Sequence, residues 1–392
     1  MASDLEKLRL AINPFEPAAT GAPLENLWVP ASWQNRLEEI LKMLEQAQGI
    51  KAVAIAGEYG SGKSYILRWL EREALPKLRI KPFYFDNPGS QFYSLANTLL
   101  RQIGRKDFAK SLWELASVYV EGYQRSLFTS GFEEFLRSAQ SGRRHDQILV
   151  ELQNAVLTAE ITKDEQIAHC LARIVGETGR KPYFEYRDFV TGKGSLVAEG
   201  EEAPYFGAIL KTLRLAGGIR GVAFLIDEFE EISLQKRLTR REAHDYLATL
   251  KRLINLTMSE NLWVFVAMTP DAVDKTRMLE PSLWERFTAQ EKYQFRLPEL
   301  TPKDATELVA NRLATARLKG NGKTSRLFPF PDNLADNLSP STYSSPRRLV
   351  KFCFYALSRS RQVPVPFSAE FLKRIEQEGF PVSEMTEGAE RG

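Results

Sequence analysis

The densest concentration of chemistry in the chain is Gly57-Glu58-Tyr59-Gly60-Ser61-Gly62-Lys63-Ser64. Glycines at this spacing let successive backbone N–H groups curl around phosphate oxygens. Lys63 then neutralises β/γ charge, and the Ser64 hydroxyl is a ligand for Mg²⁺ at the positive end of a helix. Tyr65 follows directly and is counted with the loop as a nucleotide contact. The ligand expected is a nucleoside triphosphate with Mg²⁺. The competing explanation, a glycine-rich turn with an incidental lysine, assigns no task to Lys63 or Ser64.

A second concentration is Asp227-Glu228, at the end of the continuous apolar run Val222-Ala223-Phe224-Leu225-Ile226. Such a run is typical of a strand buried on both faces. At a phosphoryl-transfer site an acid at the strand tip holds the Mg²⁺ shell, and a second acid orients and deprotonates the attacking water. Asp227 is assigned the metal and Glu228 the water. Glu230 and Glu231 extend the acidic cluster, so an exchange of roles between Glu228 and Glu230 stays open. An acidic helix N-terminus favoured by the macrodipole explains the same residues without chemistry. Thr269, after the apolar run Leu262 to Met268, is placed to bond a γ-phosphate or the attacking water, and equally to cap the helix that begins near Asp271.

The elements that must position these groups are legible as patterns. Ala52-Val53-Ala54-Ile55-Ala56 predicts a strand leading into the glycine loop, and Tyr65 to Leu70 predicts a helix leaving it. Ile80 to Phe85 predicts a second strand ending in an Asp86 to Gly89 turn, and Tyr293 to Leu297 a final one. Far more chain separates Phe85 from Val222 than a single crossover needs, which predicts an insertion at about 100–205. Apolar residues at three- and four-residue intervals make it mostly helical, over Phe92 to Ile103, Phe108 to Tyr123, Phe132 to Ala139 and His145 to Val175. Pro182 to Val190 alternates like a strand, as an aromatic and basic nucleic-acid platform or as an edge strand burying one aromatic face. Residues up to about Asn26 read as an extended arm, and Trp33 to Leu44 as a helix. Thr301-Pro302-Lys303-Asp304 starts a helix running to about Leu318, and Ser345-Pro346-Arg347-Arg348 starts another. Two arginines in a first turn oppose the helix dipole, which assigns at least one of them to an anion.

At 392 residues, 43% hydrophobic and 26% charged, the chain has the composition of a globular enzyme rather than a disordered segment. The N-terminus lacks a signal-peptide pattern and no apolar run approaches a membrane span, so a cytoplasmic location is expected. The two cysteines, Cys170 and Cys353, read as buried thiols in a reducing compartment. Three scattered histidines support neither a zinc site nor a His-based triad. A net charge of +3 does not by itself argue for nucleic acid.

Together these motifs resemble the AAA+ class of P-loop ATPases, within the branch around replication-initiator, origin-recognition and STAND-type proteins. The resemblance implies an α/β fold: a P-loop NTPase parallel sheet sandwiched by helices, with the acids on the strand next to the P-loop strand, a long mostly helical insertion and a C-terminal helical lid domain. It divides the chain into an arm and helix (1–50), an ATPase core (51–297), a lid (298–370) and a tail (371–392). Gly57 to Ser64 is then Walker A, Asp227 and Glu228 Walker B, and Thr269 sensor 1. Arg347, after Pro346, is sensor 2 and a nucleotide contact. Arg286, in Trp284-Glu285-Arg286-Phe287, is an arginine finger acting across a homo-oligomer, or else braces its own helix with Glu285 or Glu280. Arg240 and Arg241 are lesser candidates. Val29, Pro30 and Arg36, just upstream of the P-loop, are candidates for a purine pocket or for simple packing.

More narrowly, the Walker A wording, the insertion and Gly218-Ile219-Arg220-Gly221 running into the acids are similar to ATP-binding proteins of BREX-type bacterial antiphage systems. That implies a self-assembling ATPase acting in a nucleic-acid transaction, on nucleic acid or on a partner that does. No DNA-binding winged helix is expected after the lid. Two other readings stay open: a transposition-regulator ATPase of the MuB or TniB kind assembling on DNA, and a STAND-like signalling switch with slow hydrolysis.

Overall fold

A computed structural model describes residues 2–15, 28–46, 51–86, 92–120, 125–129, 131–139, 145–176, 178, 202–229, 239–288, 294–318, 325–361 and 363–379. The aromatic stretch at 182–190, Glu230, Glu231, the Asn87 to Gly89 turn, the 319–323 loop and the end of the tail lie outside these residues. The chain divides into two units. One comprises residues 40–56 and 70–295, the other 1–39, 57–69 and 296–392.

The first unit is α/β, built on a five-stranded parallel sheet. Its strands are β1 (Ala52–Ala56), β2 (Ile80–Phe85), β3 (Gly221–Ile226), β4 (Leu262–Met268) and β5 (Gln294–Arg296), in the order β2-β3-β4-β1-β5. Small and β-branched residues fill β1, and β3 and β4 are buried throughout, as strands covered on both faces must be. Ala56 is paired with Met268, and Ile226 with Val266, so β1, β3 and β4 end on one edge of the sheet.

One expectation is corrected here. The acid-tipped strand β3 is not next to β1, because β4 lies between them and pairs with both. A run such as Leu262 to Met268, apolar on both faces, needs a neighbour on each side, and chain order does not say which two strands those are.

Among the described residues the insertion between β2 and β3 is helical, over Phe92–Ile103, Arg105–Ser117, Arg125–Thr129, Phe132–Ala139, His145–Thr158, Glu165–Gly176 and Glu202–Ala216. Two spans differ from expectation. The second helix stops at Ser117 rather than Tyr123, and the stretch from His145 to Val175 is two helices. The break falls where Glu160 adopts a left-handed backbone, φ +52°. Asp164 then starts the next helix, its Oδ1 accepting the Ile167 N–H at 2.8 Å. Trp113, Phe128, Phe132 and Phe135 cluster within the insertion, with ring centroids 5.1–6.4 Å apart.

In the second unit, Thr301 and Asp304 form a reciprocal cap on the helix Pro302–Ala316, as the sequence predicts. That helix ends short of Leu318 because Arg317 turns extended and bridges Leu10. The arm begins with a short helix, Ala2–Lys7, where an extended segment was expected. It then runs irregularly to Phe15, whose ring meets Phe330 edge-on at 6.2 Å. The helices Pro340–Tyr343, Pro346–Ser358 and Ala369–Gln377 also belong to this unit. Among the described residues of the whole chain, no helix is long and apolar enough to cross a membrane.

Candidate functional site

The chain leaves β1 at Ala56 and enters the glycine loop at the next residue, and the helix Lys63–Trp69 begins directly after it. Gly60 and Gly62 take φ of +82° and +106°, a region that costs an L-residue roughly 1–2 kcal/mol. Lys63 is only 6% exposed, and its Nζ donates to the carbonyls of Gly57 at 3.0 Å and Glu58 at 3.1 Å. The side chain is thereby folded back along its own loop. Ser61 Oγ is buried and finds no hydrogen-bond partner among the described residues, while Ser64 and Glu58 are exposed.

Residues far away in sequence pack on this loop. A Cβ on Gly62 would lie 3.3 Å from the Trp33 ring, and one on Gly60 would lie 2.8 Å from Arg347 Cβ and Cδ. The Arg347 N–H donates to the Gly60 carbonyl at 3.3 Å, and its guanidinium lies over the Tyr59 ring, 4.3 Å from the centroid. Tyr59 is otherwise open, at 67% exposure. Arg347 thus stands beside the glycine loop. Ser345 caps its helix by accepting the Arg348 N–H at 3.5 Å.

Val29 and Pro30 are buried next to the start of the helix Ala31–Gln46. The neighbouring Trp28 N–H donates to the Tyr65 hydroxyl at 2.8 Å. Burial raises the pKa of that phenol, against the opposing pull of the Trp28 N–H and Arg312. Arg36 is engaged along its own helix, with Glu39 at 3.1 Å.

In the sheet unit, Asp227 follows β3 and is 5% exposed. Its Oδ1 accepts the Glu228 N–H at 3.0 Å, and its Oδ2 accepts the Tyr84 hydroxyl from the neighbouring strand β2. Both carboxylate oxygens therefore have a donor, as a buried charge requires. Glu228 is exposed and sits at φ +51°, an uncommon conformation for a non-glycine residue that costs on the order of 1–3 kcal/mol.

Thr269, at the tip of β4, caps the helix Pro270–Leu279 by accepting the Ala272 N–H at 3.3 Å. Its capping role is thus realised, and β4 does lie beside the acid-tipped strand. Arg286 is tied inside its own unit. Nε donates to Asn255 Oδ1 at 2.9 Å and Nη1 to the Ser282 carbonyl at 2.7 Å, so it is braced by Asn255 and Ser282. Glu280 instead accepts from Lys251 at 2.7 Å and from Ser282 at 2.6 Å, bonds that hold its pKa down. Arg240 and Arg241 open the helix Arg240–Ser259 behind a Thr239–Glu242 capping box.

The Ser64 hydroxyl and Asp227 carboxylate are hard oxygen donors of the kind Mg²⁺ takes alongside substrate phosphates. Among the described residues no group of three or more His, Cys, Asp and Glu stands ready as an all-protein metal cage. Two residues that pack on these groups carry no sequence signal: Trp33, in a helix whose pattern indicates only packing, and Tyr84, in a strand. Neither has a motif, since each acts on residues distant in the chain. Compared with models of known protein families and with curated protein sequences, the chain matches none.

Proposed function

We propose that this chain binds and hydrolyses ATP with Mg²⁺ as an AAA+-type molecular switch or motor of the P-loop NTPase fold. The observation that carries the proposal is the strand–loop–helix passage through Gly57 to Ser64, with two glycines at positive φ and a buried lysine on the loop's own carbonyls. Ligands of open parallel sheets bind beyond the carboxyl ends of the strands, and the loop begins one residue after β1 ends. The strained backbone of Glu228, beside a buried Asp227, is the second support.

In this proposal the loop N–H groups hold the phosphates, and Lys63 leaves its carbonyls to meet their charge. Ser64 and Asp227 hold the metal shell, which supplies charge neutralisation at the phosphates when bound. Glu228 takes the proton of the attacking water, Thr269 orients that water or the γ-phosphate, and Arg347 adds a cation. Val29 and Pro30 border the base. The pathway we propose is a nucleic-acid transaction, in bacterial antiphage defence, performed by a self-assembling protein.

The hydrogen bonds that tie Arg286 to Asn255 and Ser282 favour a second reading, a slowly hydrolysing switch, because a finger serving a neighbour must leave its own helix. Steady-state ATP hydrolysis, with and without DNA and across protein concentrations, decides among these. Turnover requiring Mg²⁺ is expected. A rate per protomer that rises with concentration supports the finger, and a flat, very low rate with retained ADP supports the switch. No uptake of adenine nucleotide by calorimetry overturns both.

A further inference from the structure

The parallel register pairs Tyr84 with Leu225 and Phe85 with Ile226. Side chains alternate along a strand, so Leu225 and Asp227 share a face, and Tyr84 opposite Leu225 is the diagonal neighbour of Asp227, within reach of an aromatic side chain. Its flanking residues, Phe83 and Phe85, are buried against Phe224, which anchors this stretch of β2. The ladder continues one step past the strand, the Asp227 N–H donating to the Phe85 carbonyl at 2.8 Å. Gln102, on the first insertion helix, donates to the Tyr84 carbonyl at 2.6 Å.

We infer that Tyr84 is the positioning residue for the metal-binding carboxylate of Asp227, an inference that rests on the ATPase proposal above. With Oδ1 held by the Glu228 N–H and Oδ2 by the Tyr84 hydroxyl, rotation of the carboxylate is fixed, and the remaining lone pairs point in set directions. A phenylalanine at this position keeps the ring packing and removes the donor, leaving a buried oxygen without its partner. Partners that orient a metal's ligands, without touching the metal, typically change its affinity by about 10–100-fold when lost.

The test uses the full chain and Mn²⁺ as the probe. Mn²⁺ binding is measured by loss of the free-ion EPR signal in the presence of a non-hydrolysable ATP analogue, for wild type, Tyr84→Phe and Asp227→Asn. The Tyr84→Phe protein is expected to bind Mn²⁺ about tenfold more weakly, with its metal-free affinity for the analogue, measured in EDTA, unchanged. Wild-type Mn²⁺ affinity in Tyr84→Phe, alongside weakened binding in Asp227→Asn, overturns the inference and leaves the ATPase proposal standing. Loss of metal-free analogue binding in Tyr84→Phe also overturns it, since the role is then general to the fold. No nucleotide-dependent Mn²⁺ binding in wild type overturns the ATPase proposal itself.

Discussion

The glycine loop and the acid edge of the sheet solve opposite problems by different means. In the proposed site the loop is the anion cradle, and it is made of main chain. Its shape comes from glycines at positive φ within a stretch of eight residues, and side chains from elsewhere only press on it. The acid edge is the proposed cation site, made of side chain, and a single carboxylate has no shape of its own. Asp227 depends on a donor one residue away and on another from a different strand, 143 residues earlier. A backbone device is therefore written consecutively, whereas a side-chain device is assembled from distant parts.

The contrast can be broken or sharpened by substitution. The largest effect is expected from Glu228→Gln, which removes the proposed base but neither half's binding chemistry. Turnover should fall by about 10²–10⁴-fold in a steady-state assay while ATP affinity stays near wild type. Normal hydrolysis would transfer the base role to another acid. Lys63→Ala should weaken ATP binding by about a hundredfold in calorimetry, reflecting a lost charge-assisted contact to phosphate. Unchanged affinity would mean that the lysine never leaves the carbonyls of Gly57 and Glu58.

A smaller effect is expected from Gly60→Ala, which puts a Cβ at positive φ and 2.8 Å from Arg347. Destabilisation of about 1–2 kcal/mol by denaturant unfolding is expected, with ATP affinity reduced as well. If the loop tolerates alanine, its conformation does not depend on glycine as the contrast requires. The smallest effect is Tyr59→Leu, which removes the ring under Arg347. A partly exposed cation–π contact is worth about 0.5–1 kcal/mol, so ATP affinity should change by no more than about fivefold, and Tyr59→Phe should restore it. A larger change that Phe does not rescue would give the Tyr59 hydroxyl a task of its own.

Strands β1 and β4 were legible to the residue because runs apolar on both faces, bounded by turns and loops, have few other uses, and β2 because an aromatic-rich run ends in a turn signal. Helix ends were legible where a capping residue marked them, as at Thr301, and misjudged where tertiary contact ended the helix, as at Arg317. The His145 to Val175 stretch misled because helical periodicity continues on both sides of the break, and only Thr162-Lys163-Asp164 hints at it. The glycine loop and the acid pair are legible for the same reason as the strands: each belongs to a short contiguous pattern.

Sequence by itself determined the local objects: the glycine loop between a strand and a helix, the acid pair closing a buried strand, and the capped helices after them. Each is specified by dihedral preference and periodicity over fewer than about twenty residues. Tertiary structure alone decided that β4 separates β1 from β3, that Trp33 and Arg347 press on Gly62 and Gly60, and that Tyr84 holds Asp227. Those facts are pairings between distant segments. Strand order, register and diagonal contacts are set by which faces bury together, and no single stretch of chain carries that information.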